Sequence, residues 1–223
     1  MRYLITDTET VGLNPPEAPA SGVVEVAWAE IDPVTLEIRD EFVSRVNPGC
    51  PIHPQASAVH GIYDNDVVDE RTLTEVFTPK GPTINIGHNS SFDVRFLSSC
   101  YENLVGSLCT LALARQYVKG SANHKLGTLV QHLGLAGGKA HSALGDVHST
   151  VQLLRVLVDM AGRDLPTLVA AARKPKQIHV MPFGLHKGKT ILNLPTHYIL
   201  WFLDREIDQD LRLSLETVMK VRG

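Results

Sequence analysis

The stretch Tyr3-Leu4-Ile5-Thr6-Asp7-Thr8-Glu9-Thr10 constrains this chain more than any other. It begins apolar and ends Thr-rich, which predicts a strand. Side chains alternate faces along a strand, so Tyr3, Ile5, Asp7 and Glu9 share one side. That side starts apolar and ends in two carboxylates about 6–7 Å apart along the backbone. Acids this close repel, and both stay ionised only if cations sit between them. Hard oxygen donors at such a spacing suit Mg²⁺ or Mn²⁺. An isolated Asp-x-Glu is most often a solvated strand end, so the rest of the chain decides its meaning.

Downstream, the loop Gly12–Gly22 is rich in Pro, Ala and Gly. Val23–Ile31 alternates like a strand and Glu37–Val46 predicts another, making an antiparallel meander with the first. Short helices are predicted over Gln55–Ile62, stopped by Gly61, and over Arg71–Phe77. Thr83–Gly87 reads as a buried strand leading through His88-Asn89-Ser90-Ser91 into a helix from Phe92 to about Glu102, with Phe92, Phe96 and Cys100 inward. Leu111–Tyr117 and Lys125–Leu133 predict further helices. After the loop Gly137-Gly138-Lys139-Ala140-His141-Ser142 comes a long helix, Ala143–Met160, with Val147, Val151, Leu154 and Val158 at helical spacing. Strands followed by helices interleaved with strands predict an α/β fold, a mixed β-sheet flanked by helices. A connecting segment, 162–177, includes a short helix to about Arg173. Residues 178–223 predict a small C-terminal α+β module, with a hairpin over Ile178–Leu192 and helices over Pro195–Leu203 and Leu211–Val221.

The 223 residues, 43% hydrophobic and 20% charged, allow one good core plus an appendage. Met1 runs straight into the first strand, which argues against a signal peptide. No apolar run is long enough to span a membrane. Cys50, Cys100 and Cys109 have no metal or redox spacing and fit reduced thiols of a cytoplasmic protein. The net charge of −3 hides an asymmetry. Residues 1–161 hold 11 Lys/Arg and 18 Asp/Glu (11 − 18 = −7), and residues 162–223 hold 10 and 6 (10 − 6 = +4). An acidic body with a basic tail suggests a metal-loaded site beside a polyanion-binding segment.

More acids join Asp7 and Glu9. Asp93 falls in the first turn of a helix that follows a buried strand, and Asp146 in the first turns of the long helix; helix dipoles favour both anions. His141 precedes Asp146 by five residues in a Gly-rich loop and is close enough to share its site. His148, two residues beyond Asp146, points away to the surface.

The order Asp-x-Glu, Asp, His-x4-Asp resembles the DEDDh family of 3′→5′ exonucleases, which have a ribonuclease-H-like fold. The resemblance is carried by ITDTETVGL, VHGI, GHNSSFDVRFL, CTLALAR, HKLGTLVQHLGL and HSALGDVHST, over residues 1–161. The tail, MPFGLHKGKTIL followed by PTHYILWFL, looks like the C-terminal segment of the exodeoxyribonuclease X group. The resemblance implies two divalent ions, Mg²⁺ or Mn²⁺, on Asp7, Glu9, Asp93 and Asp146, with His141 as general base. It also implies substrate contacts from Thr8, Thr10, Gly12 and Leu13. Asn89 is a candidate for the sugar or phosphate, or a helix cap; His60 faces the cleft or is a structural histidine. In the tail His186, Lys187 and Lys189 are candidates for DNA-backbone contacts beside His179, while Trp201 and Phe202 read as core of the small module. The insertion Pro15–Ser21 departs from the family pattern beside the site. The expected activity is release of nucleoside 5′-monophosphates from DNA 3′ ends. The alternatives are an exoribonuclease of the ribonuclease T or oligoribonuclease type, a proofreading subunit, and a non-catalytic nucleic-acid-binding protein.

Overall fold

In the computed structural model, residues 1–138, 142–172, 177–205, 207 and 209–222 are described. Five strands form one sheet in the order β3-β2-β1-β4-β5. They are β1 (Arg2–Thr10), β2 (Val23–Ile31), β3 (Ile38–Arg45), β4 (Pro82–Gly87) and β5 (Asn103–Cys109). β1 pairs antiparallel with β2, and β2 with β3. β1 pairs parallel with β4, and β4 with β5. This is the mixed sheet the sequence predicts. Two details differ. The helix expected from Phe92 to Glu102 is α3 (Ser91–Leu97), followed by one tight turn over Ser98–Cys100. The chain then enters β5, which carries no alternating pattern and includes Gly106 and Ser107. Pairing with β4, not local propensity, makes that segment a strand.

β1 sits at the centre because its apolar half can be buried on both faces. Leu4 and Ile5 are fully enclosed, as are Ile84 and Ile86 on β4. β3 forms an edge and carries Arg39, Asp40, Glu41 and Arg45, which discourage further strand pairing. The shorter helices of this part are α1 (Pro54–His60), α2 (Leu73–Val76), α4 (Thr110–Tyr117) and α5 (Leu126–His132). The longest helix, α6 (Ala143–Ala161), packs on β1 and β2 through one face. Its Leu153 and Leu157 turn the other way, into a cluster with Ala114 of α4 and Leu129 of α5. α6 therefore lies between the sheet and two helices, and is apolar around more of its circumference than a surface helix. At the end of the loop that holds the insertion, Gly22 adopts φ +68° and a Cβ there would meet Pro16 Cδ at 2.4 Å. Only glycine fits that turn.

The backbone divides into two units, residues 1–171 and 172–223. The first holds the sheet, α1–α6 and nearly all of α7 (Leu165–Ala172). The second holds α8 (Thr196–Leu203) and α9 (Gln209–Arg222). Its core is built from Met181, Ile191, Leu194, Ile199, Phe202 and Leu215, with others. Its hairpin is a single antiparallel bridge, Val180 to Thr190, closed by Met181 N–H to Lys189 O (2.8 Å) and Ile191 N–H to His179 O (2.9 Å). Among the described residues no helix is long and apolar enough to cross a membrane.

Candidate active site

The site lies where β1 outruns its parallel neighbour. β1 and β4 pair from Arg2–Thr83 to Ile5–Ile86, and β1 then continues alone on that side. The freed edge needs other acceptors. Asp93, in the first turn of α3, provides one: its Oδ1 accepts the Thr8 N–H at 3.0 Å and the Thr8 hydroxyl at 2.8 Å. A second tie lies deeper. The Thr6 and Tyr101 hydroxyls both donate to Asn85 Oδ1 on β4, each at 2.6 Å. The strand end carrying the acids is therefore fixed from below and from one side.

Asp7, Glu9 and Asp146 converge there. One carboxylate oxygen from each lies within 4.8 Å of the others. Asp93 stands next to this trio, near enough to repel Asp7. Burial, then Asp93, Asp146, Glu9 and Glu25, push the Asp7 carboxyl far above the carboxylate range. Burial and the same acidic neighbourhood raise Glu9 to about 7. Asp93 also rises to about 7 through burial, although its bonds from Thr8 pull the other way. Among the described residues no Lys or Arg forms an ion pair with Asp7, Glu9 or Asp93. Clustered acids, Asp93 buried and the other three half-buried, fit a site for hard divalent cations. His141 lies outside the described residues. His148 is half-buried and bonded to Glu41 of the edge strand β3 at 2.7 Å, away from the site.

A cavity of about 470 Å³ opens beside Glu9. Thr8, Thr10, Gly12, Leu13, His60 and Phe92 are among the residues lining it. Leu13 is 80% exposed, so it does not belong to the core. Its loop is held from α3, where Arg95 donates to the Leu13 carbonyl (3.2 Å) and to Asn14 Oδ1 (3.4 Å). His60 uses both ring nitrogens on backbone: Nδ1 accepts the Ile62 N–H (3.0 Å), and Nε2 donates to the Thr10 carbonyl (3.3 Å). That ring ties α1 to the end of β1 while walling the cavity, and burial lowers its pKa. Asn89 is exposed in the left-handed region, φ 72°, at the turn from β4 into α3.

Two further residues were hidden in the sequence. Glu25 pairs with Glu9 across β1 and β2, an unfavourable like-charge pair on its own. Its Oε2 accepts the N–H of Ala143, the first residue of α6, at 2.9 Å. It thereby satisfies an orphan donor of the helix that carries Asp146. The one available signal was an acid inside the apolar run VVEVAW. Glu25→Ala is expected to lower turnover or metal affinity about 10–100-fold, whereas Glu25→Gln keeps an acceptor and most of the activity. Calorimetric Mn²⁺ titration and turnover measure this; equal losses in both variants would assign the effect to charge instead.

Gly138 is the second. Its N–H donates to Ser149 Oγ (3.1 Å), and a Cβ at this position would come within 2.4 Å of Gly145 Cα and O. Two glycines thus allow backbone to touch backbone beside Asp146. Gly138→Ala should destabilise the fold by about 1–3 kcal/mol, read as a lower denaturant midpoint. An unchanged midpoint would show the contact yields freely.

Residues 4–154 match the family model described as Exonuclease. The chain belongs to the exonuclease family. It is an enzyme, a 3′→5′ exonuclease of the DEDDh type, with affinity to the exonuclease X group. Residues 176–219 match a second model, described as Putative quorum-sensing-regulated virulence factor. Exodeoxyribonuclease 10 of Escherichia coli K12 is 28% identical over 222 residues, 95% of this chain and 96% of that protein. A DNA polymerase III subunit epsilon-like protein of Rhodobacter capsulatus is 30% identical over 76% of this chain, but only 26% of its own length. A solved structure of Exonuclease X in complex with 5′ overhanging duplex DNA superposes with a TM-score of 0.62 at 27% identity, covering 76% of this chain and 99% of that one.

Proposed function

We propose that this chain removes nucleoside 5′-monophosphates from DNA 3′ ends, using two divalent ions, Mg²⁺ or Mn²⁺, held by Asp7, Glu9, Asp93 and Asp146. The observation that carries the reading is the convergence of Asp7, Glu9 and Asp146 within 4.8 Å, with Asp93 anchored alongside. Bound divalent ions would supply Lewis-acid stabilisation of the attacking and leaving oxygens. The chain's own residues do the remaining work. His141 takes a proton from the attacking water onto its imidazole, a role for which a pKa near 6.5 suits neutral pH. Water adds to phosphorus and the bond to the 3′ oxygen of the penultimate sugar breaks, leaving a 3′ hydroxyl on the shortened strand.

The terminal nucleoside occupies the cavity beside Glu9, against Thr10, Gly12 and Phe92, with backbone near Thr8 close to its sugar. Exposed Leu13 is placed to wedge against the next base, since every base has an apolar face. Asn89 stands at the turn leading to Asp93, within the strand-to-helix segment that faces substrate. Residues 1–161 form the exonuclease domain, and the hairpin residues His186, Lys187 and Lys189 of the 178–223 module contact DNA phosphates.

DNA, not RNA, is favoured by the relatives. The E. coli protein that matches over almost its full length is named an exodeoxyribonuclease, and the Exonuclease X structure was solved with DNA. Incubation with Mg²⁺ and 5′-labelled single-stranded DNA, duplex DNA or RNA tests the reading. The expected result is a ladder shortened from the 3′ end of DNA. Degradation confined to RNA would overturn the substrate, and full activity in excess chelator would overturn the metal dependence.

A further inference from the structure

The C-terminal unit carries a surface that the catalytic reading leaves unused. Its core is filled by the buried cluster around Met181, Ile199 and Phe202, yet Phe183, Leu185, Leu200 and Trp201 remain exposed. Large apolar side chains gathered at the surface of so small a unit need a reason beyond folding. Trp201 is 50% exposed on α8, against the sequence expectation that it belongs to the core; only Phe202 is buried. The rings are ordered. Tyr198 lies parallel to Trp201, at 6.3 Å and 16° between planes. The Arg205 guanidinium stands 3.8 Å from the centre of the Trp201 ring, and its Nη1 donates to the Trp201 carbonyl at 2.7 Å. Ring and guanidinium together make a pinned stack.

The hairpin is docked on the same helix. Phe183 meets Phe202 edge-on at 5.9 Å, and His186 meets Tyr198 edge-on at 4.5 Å. Gly184, at φ +75°, passes so close to the Tyr198 hydroxyl that a Cβ would lie 2.9 Å from it. Lys187 and Lys189, both exposed, are therefore carried by a loop fixed to the helix that bears Trp201. The hairpin and the chain leading into it are cationic, while acids begin at Asp204 beside Arg205. Between Asp164 and Asp204 the sequence contains Arg173, Lys174, Lys176, Lys187 and Lys189, and no Asp or Glu. Exposed π surfaces on a unit that also presents Lys187 and Lys189 match what single-stranded nucleic acid presents, stackable bases on a polyanionic backbone. Arg planes as well as aromatic rings accept such bases. Trp and Arg are also common in protein-docking patches, but lysine is depleted there, so Lys187 and Lys189 favour the polyanion.

We propose that Phe183, Trp201 and Arg205, together with Lys187 and Lys189, form a binding site for single-stranded nucleic acid on the C-terminal unit, built from none of the residues that line the catalytic cavity. Bases stack on the Trp201–Arg205 pair and on Phe183, and the lysines take phosphates. The proposal extends the phosphate contacts assigned above to the hairpin, and it draws its choice of polyanion from the nuclease reading.

The two kinds of contact respond differently to salt, which makes the proposal testable. Binding is measured on the full chain carrying Asp7→Asn to prevent cleavage, with a fluorescein-labelled oligothymidylate over a range of KCl. Trp201→Ala should weaken binding about 5- to 150-fold with the salt slope unchanged. Trp201→Phe, which keeps a ring, should recover most of that loss, separating stacking from misfolding. Lys187→Ala with Lys189→Ala should flatten the log–log salt slope by about 1.4. The chain has two tryptophans, so Trp28→Phe leaves Trp201 as sole reporter, and its fluorescence should be quenched by the oligonucleotide. If Trp201→Ala binds like its parent, or the Trp201 signal is unmoved at saturation, the stacking site is overturned even where the lysine effect survives. If neither the lysines nor Trp201 matters, the surface docks protein instead. Failure of the nuclease reading would appear elsewhere, as an intact 3′ end after incubation of the unsubstituted chain with Mg²⁺.

Discussion

Asp7→Asn is expected to lower cleavage by at least about 10³-fold, the scale of losing a preorganised electrostatic element, and to leave the metal-free protein more stable than the parent. The second half of that expectation comes from the strain in the acid cluster. Asp7 is pushed up by burial and by four acidic neighbours, so its carboxylate is held against both solvation and repulsion. An amide of the same shape removes the charge and relieves Glu9 and Asp93 as well. Without metal, therefore, the substituted protein should melt higher. With Mn²⁺ the order should reverse. A ligand that binds only the folded state stabilises it by about 2.7 kcal/mol at one hundred times its Kd, and the parent should gain this while Asp7→Asn gains little. Calorimetric melts with chelator and with Mn²⁺ give all four values. A substituted protein that melts lower in chelator, or gains the full increment from Mn²⁺, would remove Asp7 from the centre of the site.

The same acids set a pH dependence in chelator. Glu9 and Asp93 have folded-state values near 7, above those of an unfolded chain. The folded state therefore holds more protons, and stability falls as pH rises from the ordinary carboxylate range, about 4, through about 7. Metal should abolish this slope, because the bound ions take over the role of the protons. Carboxylates that are paired with Lys or Arg show the opposite sign, losing stability as pH falls.

The catalytic half of the fold was legible because its chemistry rides on its regular elements. Asp7 and Glu9 are two residues apart on a strand with an unmistakable apolar start. Asp93 and Asp146 each occupy the first turn of a helix, where local rules explain an acid without invoking a site, and their order along the chain supplied the rest. What stayed hidden depended on neighbours far away in sequence. β5 is a strand because β4 offers it hydrogen bonds, and the spacing of Phe92, Phe96 and Cys100 carried the helix expectation past Leu97 into a tight turn. Glu25 sits in the apolar alternation of β2 like any outward acid; its meaning comes from α6, more than a hundred residues later. Leu13 and Trp201 are hard to place from sequence for the opposite reason. Apolar residues default to the core in sequence, and only coordinates show that these two face solvent.

His141→Ala should lower the chemical rate about 10²–10⁴-fold, the usual contribution of a positioned general base. The expectation rests on a single His in a Gly-rich loop, five residues before Asp146, in the order that marks the DEDDh exonucleases. The carboxylates bind metal, so Mn²⁺ affinity should survive the change, and DNA affinity measured with Ca²⁺ in place of Mg²⁺ should shift little. The pH profile separates the possible roles. With His141 as base, the unsubstituted enzyme gains rate as pH rises through the imidazole pKa and then levels off, because only neutral imidazole accepts a proton. The variant loses that limb. If His141 were a metal ligand, its loss would weaken Mn²⁺ binding and excess Mn²⁺ would restore the rate. If it only shaped the loop, the rate would fall modestly with the limb intact. Half-buried His60 and His88, whose pKa values are lowered by burial, are two histidines in the first unit to compare with His141. Both hold backbone partners through their rings; His88 precedes Asp93 by the same five residues, but its two ring nitrogens are taken by Thr110 and the His124 carbonyl, and His60 has no acid at that spacing, so His60→Gln should leave the limb in place. Single-turnover rates across pH at saturating metal compare the three proteins directly, and a limb that persists without His141 would transfer the role of base to another group.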